Sequence, residues 1–163
     1  IPVGKDSLSM STVWKDSTGA DHRVSSPLSL VVTAFAPVTD IRKTVTPYFK
    51  NEPSVVILID LGQRRHRMGG SVLAQVYGQL GSEAPDCDDP SLLKSFFAAM
   101  AEIKERKLAL AYHDRSDGGV FVTLAEMAFA GHCGVDVDLS APALPATSAI
   151  FNEELGIFLR LLR

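Results

Sequence analysis

The sequence predicts an α+β layered domain in which helices pack on a mixed β-sheet. Three observations carry that prediction. Residues 55–59 are all Val, Ile or Leu and stop at Asp60, as a strand covered on both faces does. Two later segments place apolar residues at helical spacing: Leu73, Val76, Tyr77 and Leu80, then Phe96, Phe97, Met100 and Ile103. Val135, Val137 and Leu139 alternate with Asp136, Asp138 and Ser140, the period of a half-buried strand. The spacing is too uneven for a regular doubly wound sheet.

Each element has its own local reason. Residues 1–10 run from Ile1-Pro2-Val3 through Gly4, Lys5, Asp6 and Ser7 into alternating Leu8 and Met10, a turn leading into a short strand. Residues 15–27 are polar, with Gly19 and Pro27, and form a hairpin or a surface loop. Residues 28–35 are rich in Leu and Val and read as a strand ended near Pro37. Residues 38–52 hold a strand or turn near Val45 and a break at Pro47. After the central strand at 55–59, a helix begins near residues 69–71, with Gly81 as its C-cap candidate. Asp89 as N-cap and Pro90 at the first helical position open a second helix to about residue 107. A short strand follows at 108–112, a third helix at 119–130 capped by Gly131, and the alternating strand at 135–139. A connector with Pro142 and Pro145, a short helix at 149–153 and a last strand through Ile157, Leu159 and Leu161 complete the order.

Composition excludes several classes. The chain has 163 residues, 46% of them hydrophobic and 21% charged, which fits a folded globular domain. A net charge of -3 argues against non-specific nucleic-acid binding, which needs a concentrated basic face. No apolar run reaches the roughly 20 residues of a membrane helix. No early segment resembles a signal peptide, so a cytoplasmic location is expected. Cys87 and Cys133 are read as free thiols, with Cys133 buried at a helix-to-strand junction. The chain starts with Ile1 and stops inside the apolar run LGIFLRLLR. A piece of a larger protein is the expectation; processing or a missing initiator residue is the alternative.

The densest polar cluster is HDRSDGG, residues 113–119. Gly118 and Gly119 allow a tight turn and close backbone approach. Amides at the following helix start point at an anion. Asp114 and Asp117 offer the oxygen ligands that Mg²⁺ prefers when it bridges to phosphate. A second reading stands beside this: Asp117 caps the helix and Asp114 shapes a turn. The motif is not a P-loop, which needs GxxxxGK and then Ser or Thr. GKDS at residues 4–7 lacks the upstream glycine; Lys5 either meets a phosphate as a point charge or lies in an exposed turn. For FNEELG, residues 151–156, a surface corner is favoured over a carboxylate turned into a pocket. Arg64, Arg65, His66 and Arg67 are read as a solvated helix start, with an anion-binding patch as the alternative. Gly69 and Gly70 open a helix or admit a close backbone contact. His22, His66 and His132 have no HExxH or HxH partner, which argues against zinc.

Taken in order, IPVGKDSLSM, SPLSLVVTAFAPVTDIRKTVTP, GGSVLAQVYGQLG, AYHDRSDGG and FNEELG resemble the landmarks of the phosphoribosylformylglycinamidine synthase family, the formylglycinamide ribonucleotide amidotransferases. The resemblance spans nearly the whole chain and is weakest in the loops at 15–24 and 82–90. It implies a glutamine-hydrolysing ligase of purine biosynthesis that uses ATP and Mg²⁺. Formylglycinamide ribonucleotide has its amide oxygen phosphorylated, and glutamine-derived ammonia displaces the phosphate. It implies a fold like the C-terminal domain of aminoimidazole ribonucleotide synthetase, from the second synthetase-like half of the enzyme. Residues 1–26 would be the tail of the preceding N-terminal-like domain, and 27–163 the C-terminal-like domain, incomplete at its C-terminal end.

Carried over position by position, Asp114 resembles the Mg²⁺ ligand and Ser116 a nucleotide-contacting residue, with Gly118 and Gly119 in the same ATP/ADP-binding turn. Lys5 matches a segment near the cleft and is a candidate for phosphate binding or catalysis; Asp6 and Ser7 accompany it. Asp117 and Glu153 match further cleft positions. The implied partners are substrate, ammonia and the remaining domains of the same polypeptide, with no nucleic acid and no membrane. Two alternatives stand: an auxiliary domain holding a structural nucleotide without catalysis, and another member of the aminoimidazole ribonucleotide synthetase superfamily. The isolated chain is expected to be inactive, because the glutaminase nucleophile and the remaining metal ligands are not in it.

Overall fold

The computed structural model describes residues 10–26, 33–49, 52–138 and 145–162. The chain divides into two compact units, Ile1–Thr39 and Asp40–Arg163. Lys5, Asp6 and Ser7, most of the strand expected at 28–35 and the proline connector near 142 lie outside the described residues.

In the first unit, the polar stretch at 15–27 belongs to a hairpin. Strand β1 (Met10–Lys15) pairs antiparallel with β2 (Asp21–Ser26), Lys15 opposite Asp21. The turn is built by Asp16, whose carboxylate accepts from the Thr18 hydroxyl at 2.6 Å, the Thr18 amide at 2.8 Å and His22 Nε2 at 2.8 Å. Those bonds, the Thr18 hydroxyl first, hold the Asp16 carboxyl well below the usual carboxylate range. Residues 33–35, the tail of the expected strand, are irregular.

The second unit is a layered α+β domain. Its sheet has the order β3 (Ser54–Asp60), β5 (Gly156–Leu162), β4 (Ala109–Asp114). Both ladders are antiparallel, so among the described residues the sheet, expected to be mixed, is antiparallel. The last strand, β5, is the central one, and its first five residues are buried. β3 was expected in the centre but lies at an edge, with Val55, Val56 and Leu58 about half exposed. A β-branched run favours a strand without fixing its neighbours.

The alternation of β5 sorts the core into two faces. Ile157 and Leu159 pack with Leu61 and with Phe96 and Met100 of α2 (Pro90–Glu105). Phe158 packs on the other face with Ala111 and with Val120 and Met127 of α3 (Gly119–Gly131). The sheet is thus sandwiched between two helices. A bulge at residues 109–111 of β4 keeps Ala109 and Tyr112 with the α2 layer while Ala111 joins the α3 layer.

The helix signals hold best at starts. Asp89 caps α2, accepting from the Ser91 and Leu92 amides at 2.9 and 3.0 Å, with Pro90 first. The helix begun near Gly70 is only α1 (Val72–Val76), capped by Ser71. Gly81 is not its C-cap; Tyr77 is. α3 ends on His132 in the left-handed region rather than on a Gly131 cap. The short helix α4 is Ala146–Phe151. The strand expected at 135–139 is not formed over its described residues: 135–138 are irregular, and Val135 and Val137 stay partly exposed against α3. Cys133, expected buried, is exposed just beyond α3. Among the described residues no helix is long and apolar enough to cross a membrane.

Candidate functional site

β3 and β4 end, and β5 begins, at one end of the sheet. Asp60 lies opposite Gly156 and Asp114 opposite Ile157. Three loops leave or enter here: residues 61–71 after β3, the HDRSDGG turn after β4, and residues 152–155 before β5. The sequence motifs RMGGS, HDRSDGG and FNEELG therefore converge, although they are far apart in the chain.

Arg115 fastens the turn to the sheet. Its guanidinium, 1% exposed, donates to Asp60 Oδ1 at 2.6 Å, to the Leu155 carbonyl at 3.0 Å and to the Glu154 carbonyl. Its amide donates to the Gly156 carbonyl at 2.8 Å. Burial pushes the Asp60 carboxyl up, but the Arg115 bond and the amides of Arg64 and Gly62 outweigh burial and hold it below the usual carboxylate range.

FNEELG is not a surface corner. Glu154 is 1% exposed and takes Arg67 through Nε and Nη2, each at 2.7 Å, and through the Arg67 amide at 2.9 Å. Arg67 also reaches Asp88 at 2.9 Å, and these carboxylates raise its pKa, the Glu154 bonds foremost. Arg67 is thus a buried structural cation rather than part of a solvated helix start. Its loop carries Gln63, Arg64 and His66 at positive φ, a concentration of backbone strain in non-glycine residues. Gly69 makes the close backbone contact: its amide donates to the Glu83 carbonyl at 2.6 Å, and a Cβ there would collide with that peptide. Buried Asn152 donates to the Ser148 carbonyl at 2.6 Å and fixes the start of FNEELG's loop.

The capping reading of Asp117 is corrected. Gly118 is the N-cap of α3 with no side-chain bond of its own, at φ +84°. The carboxylate that meets the Gly118 amide comes from Glu153, at 2.8 Å, and the same oxygen accepts from the Val72 amide at 2.8 Å. Gly119, at φ +66°, sits so close to the loop that a Cβ would lie 2.5 Å from the Asn152 carbonyl oxygen. Asp114 and Asp117 are exposed, Ser116 is half-buried, and Gly118 and Gly119 are buried. Thr123 braces the turn, its hydroxyl donating to the Gly119 carbonyl at 2.9 Å. Tyr112 titrates high, at about 12, because of burial and then the nearby Asp114 carboxylate. His113 Nδ1 lies 2.8 Å from the Asp114 carbonyl oxygen and Nε2 lies 3.0 Å from Glu126.

Among the described residues no three His, Cys, Asp or Glu side chains form a metal-ready group. Asp114 offers a carboxylate of the right chemistry for Mg²⁺, but the rest of an octahedral shell has to come from water, phosphate or groups beyond those described. Two cavities flank the region. One of about 350 Å³ lies against the loop of Arg65, His66 and Gly69. The other, about 320 Å³ and apolar, runs along α3 from Val120 and Phe121 to Val135.

Asp60, Arg67, Asp88, Arg115, Asn152 and Glu154 are the supporting residues that sequence reasoning missed. Their signal was faint: a carboxylate ending an apolar strand, an arginine two residues before a glycine pair, and the second acid of FNEELG.

A sheet end where a strand–turn–helix motif meets an acidic loop, between helix layers, defines the class. Residues 53–159, about two thirds of the chain, match the family described as AIR synthase related protein, C-terminal domain, and the chain belongs to that family with its aminoimidazole-ribonucleotide-synthetase-like fold. Residues 1–37 match a second family, the FGAR-AT PurM_N-like domain.

Proposed function

We propose that the chain supplies one side of a Mg²⁺–nucleotide site in a glutamine-hydrolysing, ATP-dependent ligase that converts formylglycinamide ribonucleotide to formylglycinamidine ribonucleotide in purine biosynthesis. The observation that carries the reading is the convergence of HDRSDGG and FNEELG at one sheet end, with Asp114 and Asp117 exposed while Arg115 and Gly118 of the same turn are buried and hydrogen-bonded. The succession of an FGAR-AT PurM_N-like match and an AIR synthase C-terminal match supports this ligase over other members of the superfamily.

In this reading Asp114 holds the Mg²⁺ and Ser116 meets the nucleotide. The cation, when bound, neutralises phosphate charge. Arg115, Asp60 and Thr123 keep the turn in one geometry, so that no reorganisation is needed when the nucleotide arrives. Glutaminase chemistry falls to the rest of the full-length ligase, and Lys5 keeps its place as a candidate for phosphate binding or catalysis.

The test is Asp114→Asn in the full-length protein that carries this chain, with amidine formation from ATP and ammonia, MgADP affinity and thermal stability measured together. Loss of turnover and of metal-dependent affinity with unchanged stability is the expected result. Loss of a tightly held ADP together with a lower melting temperature assigns a structural nucleotide instead. Unchanged turnover, affinity and stability overturn the proposal.

A further inference from the structure

We infer that Glu153 is a positioning residue for the nucleotide turn, and that its acceptor oxygen rather than its charge performs that role. The inference deepens the proposed function and rests on it for the word nucleotide, but not for the contact itself. One carboxylate oxygen, Oε1, accepts from the Gly118 and Val72 amides, each at 2.8 Å. The two donors begin α3 and α1, elements that neither neighbour Glu153 in sequence nor supply a carboxylate cap of their own at these amides. Glu153 thus ties HDRSDGG to the loop holding Gly69 and Gly70.

The geometry is set from both sides. Glu153 projects from between Asn152 and Glu154, which are 0% and 1% exposed and held by the Ser148 carbonyl and by Arg67. The receiving loop is pinned by the Gly69 and Gly70 amides, which donate to the Glu83 and Leu80 carbonyls at 2.6 and 2.7 Å. Two consequences follow. The Gly118 amide is already satisfied from within the chain, so an incoming phosphate meets the turn through Asp114 and its cation rather than through this amide. Both donors are neutral amides, so a glutamine carbonyl can replace the carboxylate oxygen. Aspartate, one methylene shorter, cannot span both amides from the same backbone position.

The experiment compares Glu153→Gln, Glu153→Ala and Glu153→Asp in the intact protein, reading hydrogen exchange at Val72 and Gly118 and the dissociation constant of MgADP. Glu153→Gln should keep both amides protected and affinity within about twofold of wild type. Glu153→Ala should speed exchange at both amides together and weaken MgADP by on the order of tenfold, the upper end for a lost hydrogen bond that owes nothing to charge. If the alanine variant does not fold, the aspartate variant should show the same pattern. Loss of affinity in Glu153→Gln equal to that in the truncated variants overturns the inference, because it makes charge or metal ligation the role. Unchanged exchange in both truncated variants, or faster exchange at only one amide, overturns it as well. Absence of MgADP binding by the wild type counts against the proposed function alone, and the exchange data still decide whether Glu153 holds the two loops.

Discussion

Replacing Asp60 by asparagine tests how the turn is anchored. The substitution keeps the shape but leaves one acceptor oxygen where Asp60 uses two, Oδ1 for Arg115 and the Gly62 amide and Oδ2 for the Arg64 amide, and it removes the charge facing Arg115. Breaking a fully buried pair costs about 3–5 kcal/mol. Two features lower the figure here. The Asp60 side chain keeps 22% exposure, and Arg115 retains the Glu154 and Leu155 carbonyls. A loss of about 2 kcal/mol is expected, near the value of a hydrogen bond to a charged group. Urea unfolding followed by circular dichroism of the helices, which belong to the same unit as Asp60, measures it as a lower midpoint at unchanged slope. The pH dependence adds a second requirement. The folded carboxyl titrates below its unfolded value near 4, so its contribution is fully present above that value. It is lost as pH falls through the depressed folded value. The gap between wild type and Asp60→Asn should therefore be constant from about pH 8 to 5 and close below about pH 4. A cost under about 0.5 kcal/mol, or a gap that persists unchanged into acid, refutes the anchoring argument.

Other expectations follow from the same geometry. Tyr112 should ionise at about 12 in a spectrophotometric titration, and Tyr112→Phe should delete that late component from the signal of the three tyrosines. Because the phenol is held neutral, its share of stability is present below the unfolded value near 10 and lost between there and about 12. Gly119→Ala should destabilise by at least about 2 kcal/mol, from the left-handed backbone and from a Cβ driven against a carbonyl, read as a lower urea midpoint. Arg67→Ala and Glu154→Ala should each lower the urea midpoint, while the paired Arg67→Met/Glu154→Leu change should lower it less than either, since each single change strands a buried charge. An equal or larger loss in the paired variant would show that the salt bridge itself, not the stranded partner, carries the stability.

Local chemistry was legible wherever a residue acts on its own neighbours in sequence. Asp89 and Pro90 start a helix because cap and ring both work within one turn. The polar break at 16–20 makes a hairpin because Asp16 bonds its own loop. Helix faces were not legible in α3. Its sequence VFVTLAEMAFA is apolar nearly all round, so Val122, Ala125, Glu126 and Phe129, although at helical spacing, mark no one face for burial. The structure buries Val120, Thr123 and Met127 instead and leaves Phe129 75% exposed. The alternation from Val135 to Leu139 predicts a strand, yet 135–138 are irregular, because a period along one segment does not choose a neighbouring edge.

The sequence by itself determined that an α+β domain forms, where most helices begin, and that HDRSDGG makes a glycine-backed turn from strand to helix with carboxylates at its rim. These are properties of short stretches, governed by side-chain period, capping and glycine's access to positive φ. Only the tertiary structure decided that β5 is central, that Glu154 is buried on Arg67, and that the cap of the turn comes from Glu153 rather than Asp117. Each of those joins residues tens of positions apart. A charge or an amide is satisfied by whichever partner the packed sheet brings within about 3 Å, and that distance is written in the fold rather than in the spacing along the chain.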